Sequence, residues 1–219
     1  MQIPKRSFEE ILTALQEMAD PKVLESQRRF GITPHAALGV TMPNLRALAR
    51  GQCDHELARQ LWLTGFHEAR LLASMVEDVA LVTRVQLERW LVDFDSWDIC
   101  DQVTTDLFDR SPMALDCALE WPARLPEYER RAAFSLMAGL AAHDKRLPDE
   151  EFMRFFPLME EYATDERNFV KKAINWALRN VGKRNAFLRR AAIETAHRIQ
   201  HIDARSARWI AADALRQLV

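Results

Sequence analysis

DERNFVKKAINWALRNVGKRN, residues 165–185, carries Val170, Ala173, Ile174, Ala177 and Val181 at helical spacing. Apolar residues recurring at i, i+3, i+4 and i+7 define one buried stripe of an amphipathic α-helix. Working outward, the centre of this stretch, KKAINWALR (171–179), has echoes elsewhere in the chain. RRAAFSLMA (130–138), RRAAIETAH (189–197) and, more loosely, ARLLASMVE (69–77) also set small and apolar residues behind a basic residue or pair. The copies are irregularly spaced, so they are not a strict repeat.

Helix punctuation fills the rest of the chain. Ser7 and Glu10 form a capping box ahead of Ile11 and Leu15. Pro21, Pro34, Pro43, Pro112 and Pro148 stand where first helical turns could begin. Asp54, Ser96 and Asp165 are candidate N-caps, and Gly182 reads as a helix end. With 6 Gly and 9 Pro in 219 residues and no hairpin dipeptides between alternating runs, a many-stranded fold is excluded. The expected architecture is all-α: HEAT-like helical repeats stacked into a curved α-solenoid with a concave basic cleft, one domain over residues 1–219. In such stacks each helix pair buries its apolar face only against the next pair.

Composition narrows the function classes. No run of 18 apolar residues suggests a membrane span, and MQIPKRSFEEIL lacks an export signal, so a cytoplasmic protein is expected. The 3 cysteines are scattered, which argues against a disulfide framework or a thiolate metal site. His197 and His201, four residues apart, lack an evident third ligand and read as surface residues. The net charge of −2 conceals an uneven distribution. Residues 165–190 hold eight Lys or Arg against two acids, so that segment is +6 and the remainder −8. A basic strip of this kind is either a solvated helix face or an electrostatic footprint for an anion.

Two tryptophans face away from their own apolar stripes. Trp176 lies about 130° from the stripe of its helix, beside Lys172, Arg179 and Lys183. In FDSWDICDQVTTDLF (94–108), Trp97 lies about 120° from the stripe of Ile99, Val103 and Leu107. Asp101 follows at i+4, so a ring and a carboxylate share one helix face. Trp90 and Trp62 fall on core stripes. Trp209 also faces away from its stripe, among charged residues, where packing against a neighbouring helix is the simple reading.

WDICD (97–101), ERRAAF (129–134) and FVKKAINWALR (169–179) together resemble the AlkD-type DNA alkylation repair family, the HEAT-like-repeat alkylpurine DNA glycosylases. The resemblance runs from about Arg28 to the C-terminus. Ser96 stands where the best-known pattern has a second aromatic, which points to a less characterised branch. The resemblance implies lesion-flanking roles for Trp97 and Trp176 and an essential carboxylate at Asp101. It also implies a backbone-contacting arginine at Arg131, with Arg130 the competing register. The reaction implied is hydrolysis of the N-glycosidic bond of cationic N3- or N7-alkylated purines in double-stranded DNA. It needs no cofactor or metal, and the base is not flipped into a pocket. Lys172, Arg179, Lys183 and Arg184 would contact phosphates. A monomer without an obligate protein partner is expected. The competing readings are a non-catalytic HEAT-like module for distorted or branched DNA, and a helical scaffold for protein partners.

Overall fold

The computed structural model describes residues 5–219 and divides the chain into two compact units, Met1–Leu107 and Phe108–Val219. The first unit holds α1 (Phe8–Glu17), α2 (Pro21–Arg29), α3 (Met42–Ala49), α4 (His55–Leu63), α5 (His67–Val76), α6 (Arg84–Leu91) and α7 (Trp97–Asp106). The second holds α8 (Ala114–Glu120), α9 (Glu127–His143), α10 (Asp149–Met153), α11 (Phe155–Glu161), α12 (Asn168–Lys183), α13 (Ala186–Gln200) and α14 (Arg205–Leu218). Among the described residues there is no strand, and the all-α, HEAT-like reading holds. None of these helices is long and apolar enough to cross a membrane.

Local sequence explains most of the helix starts. Ser7 and Glu10 form the reciprocal capping box of α1, and Asp54 caps α4 by accepting from the Leu57 amide. Pro21 and Pro43 sit in first turns, where a missing N–H costs nothing, and Pro148 precedes α10. Pro34 and Pro112 begin no helix and lie in connections.

In the second unit α9 is the spine. Its small residues Ala132, Ala133, Ser135, Ala138 and Gly139 are buried on nearly every side, which lets neighbouring helices approach its backbone closely. α12 packs along it, with all five residues of the expected stripe fully buried. Asn175 is buried as well, and its amide donates to the Ile210 carbonyl, tying α12 to α14.

One expectation near α12 is corrected and another sharpened. Asp165 does not cap it, because the helix starts at Asn168 with Arg167 in the cap position. Its carboxylate instead accepts from the Arg167 amide and guanidinium and from Arg130. Burial raises its pKa, but the bonds from Arg167 and Arg130 outweigh burial and hold it below the usual carboxylate value. Gly182 marks the last turn of α12, one residue before its end at Lys183, but it is not the left-handed glycine of a cap. An added Cβ there would come within 2.8 Å of the Ala192 Cβ and 2.9 Å of Leu218 Cδ2. Close approach of α13 and α14 selects glycine there.

Candidate functional site

α7 presents the Trp97–Asp101 face expected from its sequence. Ile99 and Val103 are fully buried, as is Leu107 at its C-cap, and this fixes the rotation of the helix. Trp97 and Asp101, one turn apart, are each half-buried and line the same groove of about 420 Å³. Gln102, Thr105, Ile32, Val40 and Leu71 also line the groove. The Trp97 indole N–H donates to the Phe30 carbonyl at 3.0 Å, which pins the ring to the end of α2.

Residues without a motif signal hold this helix in place. Ser96 stands in the N-cap position, yet its hydroxyl donates to Asp98 at 2.6 Å instead of capping the helix. The other Asp98 oxygen pairs with the buried His67 ring at 2.8 Å, joining α7 to the start of α5. Burial disfavours the charged forms of both groups. Their mutual hydrogen bond and charge outweigh it, so His67 is raised and Asp98 lowered from their ordinary values. Next along α5, the fully buried Glu68 carboxylate accepts from the amides of Leu38, Gly39 and Val40. Gly39 has φ +83°, and a Cβ there would meet the Asp20 carbonyl oxygen at 2.2 Å. His67, Glu68 and Gly39 thus shape the groove wall through contacts between segments about 30 residues apart (about 28 to 31 in sequence), and no short window of sequence displays them.

The second unit carries the basic strip. Trp176 is half-buried on α12, while Lys172 and Lys183 are exposed and, among the described residues, form no ion pair. Lys183, Arg184, Lys145, Asn180 and Asn185 line a cavity of about 460 Å³ whose single carboxylate is Asp149. Arg184 is largely occupied by the fold. It donates to the Ala141 and Leu147 carbonyls and stacks 4.3 Å from the Phe152 ring centre. Arg179 donates to Gln217 of α14 at 2.6 Å. Of the four expected phosphate contacts, two are therefore open cations and two are already bonded within the unit.

The arginine pair on α9 divides clearly. Arg130 donates to the Pro122 carbonyl and to Asp165, and lies over the Tyr162 ring at 4.7 Å. Arg131 is only 5% exposed and donates to the Phe169 carbonyl. Trp209 is 40% exposed rather than packed away, with the Lys171 ammonium 5.6 Å from its ring centre. His197 and His201 are both exposed, and no group of three or more metal-ligating residues occurs among the described residues.

A family model for the DNA alkylation repair enzymes matches residues 11–218. The chain belongs to the DNA alkylation repair enzyme family. Among solved structures it is similar to one described as a member of "a new family of proteins related to the HEAT-like repeat DNA glycosylases with affinity for branched DNA structures". That match has a TM-score of 0.81 at 18% identity, over 97% of this chain and 96% of the other, and it establishes the fold. A designed armadillo repeat protein matches at a TM-score of 0.40 and 14% identity, over 96% of this chain and 100% of the other. No curated protein matches the sequence. The repair family's HEAT-like architecture is thus present, on helices whose starts and buried stripes are written locally.

Proposed function

We propose that this protein is a monofunctional DNA glycosylase that removes cationic N3- or N7-alkylated purines from double-stranded DNA. The observation that carries the reading is the pairing of Trp97 with Asp101 on the wall of one groove, held there by buried partners. A purine alkylated at N3 or N7 carries positive charge and is already a good leaving group. When the C1′–N bond breaks, its electron pair departs with the base, which becomes neutral, and positive charge passes to deoxyribose. This resembles the oxocarbenium-like transition state of glycoside hydrolysis. Water then adds at C1′ and releases a proton.

Asp101 is suited to stabilise the sugar cation and to orient that water. At about 4 Å and an effective dielectric near 20, a carboxylate and a unit positive charge attract by about 4 kcal/mol. That corresponds to roughly a thousandfold in rate. An indole face adds about 0.5–2 kcal/mol by cation–π attraction, a role proposed for Trp97, which lines the groove with Asp101. The leaving base needs no proton, so no separate general acid is required. Lys172 and Lys183 supply phosphate contacts in this proposal, supported by their exposure and lack of ion-pair partners among the described residues. Arg130 is committed to Asp165 and Pro122, and Arg131, 5% exposed, donates to the Phe169 carbonyl, so the expected backbone-contacting arginine is occupied by the fold in either register and is given no DNA contact.

A carboxylate beside an indole in the groove wall favours the enzyme over a simple binding module, because cleavage of a glycosidic bond uses a carboxylate at the developing sugar cation and phosphate binding does not. The second reading, binding of branched or distorted DNA without chemistry, draws on the structural neighbour described as having that affinity. Chromatography of bases released from N7- and N3-methylated duplex DNA separates the two. The enzyme reading expects free methylpurine from the wild type and a loss of at least about tenfold in Asp101→Asn, with duplex binding similar or tighter. Branched-DNA binding without any base release would replace it with the second reading.

A further inference from the structure

In the second unit α12 and α14 run side by side in the same direction. Lys171 meets Trp209, Asn175 bonds the Ile210 carbonyl, and Arg179 donates to Gln217, so each step along one helix is matched along the other. The basic strip of α12 therefore borders α14. Lys172 and Arg179, seven residues apart, point within about 20° of each other on α12, and Arg179 leans onto α14. On the α14 side of this seam stands Trp209, 40% exposed. Among the described residues of α12 and α14, it is the only exposed large apolar side chain.

Charge around this ring is one-sided. The Lys171 ammonium lies 5.6 Å from the ring centre. Lys171, Lys172 and Arg205, which stands one turn before Trp209, form no ion pair among the described residues. The acids nearby are already engaged. Asp213, one turn beyond Trp209, lies 3.8 Å from Arg179 and also pairs with Arg216. Glu166 accepts the Ser206 amide, and Asp203 pairs with Arg208. An ammonium over an exposed ring is a weak contact made by a flexible stem. The ring is therefore open to a stronger partner, provided that partner also satisfies the cation.

We propose that Trp209 is a stacking platform for an unpaired base of single-stranded DNA, with Lys171, Lys172 and Arg205 as its phosphate contacts. A base presents a flat π-face to the indole whatever the sequence, and the phosphate joined to it takes up the displaced Lys171 ammonium. Bases inside a duplex are already stacked on both faces, so the ring selects unpaired ones. A protein is the poorer occupant, because one indole among cations lacks the cluster of apolar anchors that an interface centre needs. A second copy is poorer too, because a two-fold contact would set these cations against their own counterparts. The inference rests on the proposed nucleic-acid face of α12 and does not depend on base release.

The test is NMR titration of the full-length chain at the indole N–H resonance of Trp209, assigned through Trp209→Phe. One arm adds a thymidine oligomer of about eight nucleotides, the other a blunt duplex. The oligomer should shift the resonance, and the duplex should need at least about fivefold more nucleotide to do so. Trp209→Ala should weaken oligomer binding at least about fivefold and leave duplex binding unchanged, whereas Trp209→Phe should keep most of the affinity. Trp209→Lys, which adds charge and removes the ring, should weaken binding as Trp209→Ala does. Circular dichroism should show all three variants folded, as expected at an exposed position. An unmoved resonance would overturn the proposal, as would full affinity in Trp209→Ala. Recovery in Trp209→Lys would reduce the site to charge alone, and equal shifts with the blunt duplex would make it a duplex surface. Self-association abolished by Trp209→Ala would assign the face to a second copy instead. Because the readout is single-strand binding at Trp209, failure here and failure of the glycosylase reading are separable.

Discussion

Trp97 shows how much a single side chain can be asked to do. Its ring lines the groove, while its N–H is bonded to the Phe30 carbonyl. Trp97→Phe keeps an aromatic face and removes the bond, leaving that carbonyl to find water. Base release should fall about threefold to tenfold, chiefly through lost ring orientation; release equal to wild type would mean that the bond does not position the ring. Gly182 carries an opposite lesson. Alanine normally gains about 1 kcal/mol over glycine inside a helix, but overpacking costs about 1–3 kcal/mol. With the Ala192 Cβ 2.8 Å from the new methyl, overpacking wins. Gly182→Ala should therefore lose about 1 kcal/mol in urea unfolding. A gain would show that α13 and α14 yield easily.

At the scale of elements, α7 depends on α5. His67 and Asp98 hold the two together, and their shifted pKa values make that link pH-dependent. His67 is raised above its ordinary 6.5, so its contribution is complete below that value and is lost as pH rises through the folded pKa. Asp98 is lowered beneath its ordinary 3.8, so its contribution is complete above 3.8 and is lost as pH falls through the folded pKa. The pair is therefore at full strength between pH 3.8 and 6.5. The stability difference between wild type and His67→Gln should be largest in that window and shrink toward alkaline pH in thermal melts. A difference independent of pH would mean that the imidazole does not titrate with folding. In the second unit, Asp165 accepts from both Arg130 and Arg167 with its side chain 6% exposed. Asp165→Asn leaves those cations under-compensated and should cost about 3 kcal/mol of stability, read from urea unfolding.

The molecule as a whole is slightly acidic, yet 165–190 is strongly basic. Affinity for DNA should then come from a few phosphate contacts rather than from net charge. Lys172→Ala combined with Lys183→Ala should weaken binding to duplexes of any sequence. It should also reduce the slope of log affinity against log salt by about 2. An unchanged slope would move the footprint to other cations. Arg179 and Arg184 should matter less to the slope and more to folding, because their guanidiniums already bond Gln217, Ala141 and Leu147.

The amino-acid order alone determined the helices, their buried stripes and the faces on which Trp97, Asp101 and Trp176 stand. Helical periodicity and capping are local, so a window of a dozen residues contains the whole cause. Family membership was legible for the same reason, since its motifs lie on single helices. Only the tertiary structure decided which cations are spent on carbonyls, why position 182 is glycine, and that Asp165 answers Arg130 instead of capping α12. It also revealed His67 and Glu68, and it left Trp209 in water beside Lys171. Each of these rests on contacts between segments distant in the chain, where burial and partner geometry set the energy and no local pattern records it.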